Sequence, residues 1–144
     1  MRTPDPSLLA RSIDQVEEAY EFMLAYAAQG VREESRAEHG IRPFLLELAA
    51  ALDGLAALAA AEAARLEPPQ AAAAAGFVAV LERDVAPALA AVRLALAAPS
   101  IGSAIVDNLN ASLHLRTVLT DLFLIESALA EISSARIGPV GTNQ

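Results

Sequence analysis

The chain has no cysteine, no tryptophan and no lysine, and aromatic residues make up only 4% of its 144 positions. Without cysteine there is no disulfide, no thiolate metal site and no thiol nucleophile. Without lysine the whole positive charge rests on ten arginines. The formal net charge is −8 and the isoelectric point lies near 4.6. An acidic chain of this kind is a poor nucleic-acid binder, because a phosphate backbone needs a basic surface. It is equally ill matched to anionic membranes. No strand-period alternation and no glycine-rich phosphate loop, nucleophile elbow or paired-histidine helix motif is present.

What the chain has in abundance is alanine and leucine. Hydrophobic residues reach 55%, and alanine is the strongest helix former. A length of 144 residues suits one domain with its own core. The expectation is an all-α fold, an antiparallel up-down-up-down four-helix bundle spanning 1–136, with a loose tail over 137–144. The first helix is expected over about 6–29, with Asp5 as N-cap, Pro6 in the first turn and Gly30 just past the end. Its apolar stripe reads Leu9, Ile13, Val16, Tyr20, Met23 and Ala27. The second is expected over 42–66, with Phe44, Leu48, Ala51, Leu55, Ala59 and Leu66 inward and Pro68-Pro69 as its stop. The third covers about 70–98 and carries Pro87 in its interior, which predicts a kink. The richest apolar run, Phe44 to Ala64, is interrupted by Glu47, Asp53 and Glu62, so it reads as a soluble helix and the protein as cytoplasmic. The N-terminal residues lack the continuous apolar core of a signal peptide.

The segment from Ser100 to Ala135 reads as one long fourth helix over about 101–135. At ~100° per residue, Ser103, Asp107, Asn110, His114, Thr117 and Asp121 fall on a single polar strip of an otherwise apolar cylinder. A strip without Lys, Arg or Glu is either a wet face or the lining of a crevice. As a crevice between the first and fourth helices it would take a small molecule, with Tyr20, Tyr26, Asn110, His114, Thr117 and Asp121 as polar contacts. The alternative weighs more. The wide apolar arc of the fourth helix and the Phe22/Tyr26 patch suggest a non-enzymatic accessory or regulatory protein that works through protein partners and self-association. Phe22, Tyr26, Ile105, Leu109, Leu113 and Phe123 form its expected contact surface. No cofactor is expected, and no metal. A di-iron bundle needs Glu-x-x-His on two helices, and neither His39 nor His114 follows a glutamate at that spacing. Glu62 and Asp84 lie where they could point inward, with Arg93 or Arg116 as candidate partners for Glu62. The mixed-charge stretch Arg32 to His39 reads as a solvated connection, or as a recognition loop in which Arg32, Arg36 and Arg42 grip an anionic group of a partner.

Overall fold

The computed structural model describes residues 7–36 and 40–137, with side chains to 135. It is all-helical, with five helices and no strand among the described residues: α1 (Leu8–Ala28), α2 (Ile41–Ala63), α3 (Pro68–Leu96), α4 (Ser103–Ala111) and α5 (His114–Ile137). Asp5, Pro6, His39 and residues 138–144 of the expected tail lie outside the described residues.

The N-cap of α1 is Ser7, whose hydroxyl accepts the Ala10 N–H at 3.0 Å. Gly30 closes the helix in the left-handed region at φ +66°, where a side chain would be strained. Its buried face is Leu9, Ile13, Val16, Ala19, Met23 and Tyr26. The expected Tyr20 and Ala27 are only half-buried, and Ala19 and Tyr26, one position earlier in each turn, take the buried places. Leu45, Leu48, Leu52 and Leu55 of α2 are fully buried. Phe44 sits at the margin instead, stacked on Phe22 with ring centroids 3.8 Å apart. By length and composition α2 is the one described helix apolar enough to cross a membrane. Here its leucines pack between α1 and α3.

Pro68 and Pro69, expected as the stop of α2, instead open α3 at its first two positions, after Glu67. Both uses follow from one property: a residue without an N–H is costless only where the helix has no acceptor for it. Helix α3 runs through the exposed Pro87 without interruption.

The largest departure concerns the last helix. The expected single helix over 101–135 is two helices, broken at Ser112 and Leu113. Leu113 adopts φ +68°, the one non-glycine residue in the left-handed region among those described. The break is closed by local hydrogen bonds. The Ser112 hydroxyl donates to the Leu109 carbonyl at 2.6 Å, and the Leu113 carbonyl accepts both the N–H and the hydroxyl of Thr117 at 2.9 and 3.0 Å. A left-handed leucine costs about 1–2 kcal/mol, and 54% of Leu113 remains exposed, so little burial offsets the strain. Leu113→Gly is therefore expected to raise stability by about 0.5–1 kcal/mol, after the larger backbone entropy of glycine is subtracted. Urea unfolding of the variant checks this.

The ends of α1 and α3 and the starts of α2 and α4 gather at one end of the molecule. Phe22 meets Phe44, Arg42 reaches the carbonyls that end α3, and Tyr26 bonds to Ile101 just before α4. Helix α4 packs mainly on α1, and α5 mainly on α3.

Candidate functional site

The polar strip of the last two helices does not act as one surface. Ser103, Asn110 and Asp121 are the buried polar residues among those described, whereas Asp107, His114 and Thr117 are exposed. The break at Leu113 rotates α5 relative to α4, so residues aligned on one ideal helix part company.

Ser103 belongs to a clasp that fixes α4. Its hydroxyl donates to the Tyr26 carbonyl at 2.6 Å and accepts the Val31 N–H at 2.7 Å, while its own N–H donates to the Val31 carbonyl at 2.8 Å. The Tyr26 hydroxyl donates to the Ile101 carbonyl at 2.6 Å. Burial and the nearby Glu34 charge push the Tyr26 phenol above its ordinary range. Gly102 lies against the same loop. A Cβ there would come within 2.9 Å of the Val31 carbonyl oxygen and 3.1 Å of that of Arg32. Gly102→Ala must therefore move backbone, and a loss of about 1–3 kcal/mol is expected in thermal or urea unfolding.

Glu34 is the centre of the clasp, with its side chain only 1% exposed. Arg42 donates two parallel bonds to its carboxylate, both 2.9 Å, and the Ile101 N–H donates a third at 3.0 Å. Arg42 also donates to the carbonyls of Leu96 and Ala98, capping the end of α3. Arg36 donates to the Pro99 carbonyl. The Arg42 hydrogen bonds, aided by the Ile101 N–H and by the charges of Arg42 and Arg36, hold the Glu34 carboxyl below its usual range against the opposing effect of burial. The anion Arg42 holds belongs to its own chain, so this arginine is not free for the partner group that the recognition-loop expectation assigned to it.

Helix α4 is flanked by two grooves. The first, of about 360 Å³, lies between α3 and α4 and is lined by Ala91, Leu94, Ala95, Ala98, Ile105, Asn108, Leu109 and Ser112. Its walls are almost wholly apolar, and Leu94 on its rim is 76% exposed. The second, of about 380 Å³, lies between α1 and the break, lined by Tyr20, Leu24, Ala27, Ala28, Asp107, Asn110, Ala111, Leu113 and Arg116. Asn110 donates a long hydrogen bond to the Met23 carbonyl at 3.4 Å, and its buried Oδ1 has no partner.

The expected site residues are thus distributed. Of the crevice set, Tyr20 and Asn110 share the second groove. Tyr26 is committed to the clasp. His114 is exposed, and the Thr117 hydroxyl is tied to its own helix. Asp121 faces Asp84 of α3. Of the contact set, Ile105 and Leu109 line the first groove and Leu113 the second. Phe22 is covered by Phe44, and Phe123 stands 47% exposed on α5. Glu62 pairs with Arg65 at 3.3 Å, not with Arg93 or Arg116. Sequence reasoning missed the Glu34–Arg42 pair, whose eight-residue spacing across a loop follows no helical period. It also missed the pairing of Asp84 with Asp121. The one available signal was Asp84, set where it could point inward, whereas Asp121 reads as part of the polar strip.

Among the described residues no group of three or more His, Asp or Glu is placed to hold a metal ion. Comparison with family models, with curated proteins and with solved structures gives no match.

Proposed function

We propose that this protein is a small non-enzymatic accessory or regulatory protein that works through protein contacts, and that a second copy of the chain is among its partners. The observation that carries the reading is Leu94, three-quarters exposed on the rim of an apolar groove floored by Ala91, Ile105 and Leu109. A projecting leucine beside a hollow is self-complementary under a two-fold axis, each copy filling the other's groove. A lone exposed leucine is ordinary, but a leucine that extends an apolar concavity is the shape of an interface. The same reading takes the five helices as an up-down-up-down four-helix bundle kinked at Pro87, with α4 and α5 together as its fourth member, acting in the cytoplasm. Light scattering on the purified chain tests it. A mass near twice 15.0 kDa that falls to the monomer value in Leu94→Glu supports the reading. A wild-type monomer at about 100 μM overturns self-association, a micromolar contact being saturated there.

A second reading has its own observation. The unpaired Oδ1 of Asn110 is the kind of buried acceptor that a ligand N–H or O–H satisfies. The groove it shares with Tyr20, Asp107 and Arg116 falls in the size range of small-molecule sites. An NMR fragment screen that moves the Asn110 side-chain amide in the wild type, and is silent in Asn110→Leu, would support it. Hits that spare this groove would count against it.

A further inference from the structure

Helix α5 is held differently from the rest of the fold. Its seam against α3 is apolar, with Val118 and Leu122 fully buried and Ile125 nearly so, yet Asp121 lies in that seam with 9% of its surface exposed. The Asp121 Oδ2 is buried and receives no hydrogen bond from any N–H or hydroxyl. The group that reaches it is Asp84, half-buried on the facing side of α3.

Among the described residues no cation relieves this pair. Arg83, next to Asp84, is exposed, Arg93 points to Asp53 at 3.9 Å, and Arg116 lines the groove at the break. The other two elements packed on α5 are α1 and α4. Helix α1 presents Glu17, itself beside Asp14 and Glu21, to Glu126 of α5, another contact of like sign. The charged side chain of α4 is Asp107, which lines the groove with Arg116, and on α5 itself His114 stands exposed two turns before Asp121. The α3 seam of α5 therefore sets carboxyl against carboxyl, and on the α1 side Glu17 and the exposed Glu126 add charge of the same sign. Two carboxylates in an apolar contact cannot both ionise cheaply, and one shared proton turns repulsion into an O–H···O bond. At its start α5 joins α4 through the strained Leu113, while α4 is anchored by the clasp at Ser103 and Ile101.

We infer that α5 is a proton-linked latch: docked on α3, Asp84 and Asp121 share one proton, and α5 undocks about Leu113 with release of that proton to solvent. No other bond changes, so the step balances as one carboxylic acid becoming one carboxylate and a hydrated proton. The direction follows from linkage. Burial first, then the hydrogen bond and charge of Asp84, push the Asp121 carboxyl up to about 7 from 3.8. The docked state thus holds a proton that the undocked state has lost at any pH between those values.

Amide hydrogen exchange on the full chain, corrected for intrinsic rates, tests this at pH 5, 7.5 and 9. The expected result is that the opening constant of α5 rises by roughly two orders of magnitude from pH 5 to 7.5 and then levels off, while α2 and α4 change far less. In Asp121→Asn that rise is expected to vanish. Asp84→Asn is the second variant if the first folds poorly: it removes the facing charge but leaves the burial of Asp121, so the rise is expected to shrink without vanishing. A pH response that is absent, that is equal in α2, α4 and α5, that persists in Asp121→Asn, or that is undiminished in Asp84→Asn would overturn the proposal.

Discussion

Glu34→Ala is expected to destabilise the protein by about 3–5 kcal/mol, the usual cost of removing one partner of a buried ion pair. The loss is large because Glu34 serves three segments at once. It binds Arg42 at the start of α2, the Ile101 N–H before α4 and, through Arg42, the carbonyls that end α3. Removing the carboxylate leaves the mostly buried guanidinium of Arg42, 22% exposed, with an open side. Arg42→Met is expected to cost a similar amount, because the carboxylate is then buried without its cation. The double variant should lose less than the sum, since the two side chains act as a unit. The pH sign is fixed by the depressed Glu34 carboxyl: its contribution is present above the ordinary glutamate range and lost as pH falls below it. Urea unfolding of the two single variants and the double variant measures the coupling.

Asp121→Asn is expected to act in the opposite direction. Because the folded state holds the Asp121 carboxyl near 7 rather than at 3.8, its contribution is fully present below about 4 and lost as pH rises through 7. Well above 7 the wild type bears an ionisation cost of up to about 4 kcal/mol, the free-energy equivalent of a shift of about three pH units. The variant is free of that cost. It should be more stable than the wild type by about 2–4 kcal/mol at pH 8 and near parity at pH 4. Glu17, raised by burial and by Asp14, Glu126 and Glu21, adds a weaker contribution of the same sign. Together with Glu34 these groups are expected to place the wild-type stability maximum well on the acid side of neutrality, at about pH 4–4.5. A wild-type midpoint that rises steadily from pH 5 to 8 would contradict this assignment.

The all-helical class and the inward Leu9, Ile13, Leu48 and Leu55 follow from 3.6-residue periodicity, and Gly30 as the end of α1 from the left-handed freedom of glycine, but five helices stand where four were expected. The break at Leu113 carries no such mark. Leucine neither lacks an N–H nor tolerates positive φ, so the turn is imposed by the docking of α4 on α1 and α5 on α3, not by local preference. The same cause split the polar strip. Ser103, Asn110 and Asp121 are buried polar residues of that strip, but they serve a clasp, a groove and a carboxyl pair in three places. Glu34 stands in a charged stretch that reads as solvated, because burial of its ion pair with Arg42 at the start of α2 depends on contacts remote in sequence.

The groove between α3 and α4 is the proposed contact surface, and site-directed photo-cross-linking interrogates it directly. A benzophenone side chain placed at Leu94 is expected to yield a covalent dimer of the purified chain on irradiation. The same probe at the exposed Ala72, near the start of α3, should yield none. Equal cross-linking from both positions, or dimer from Ala72 alone, would show that the apolar groove beside α4 is not where this protein meets its partner.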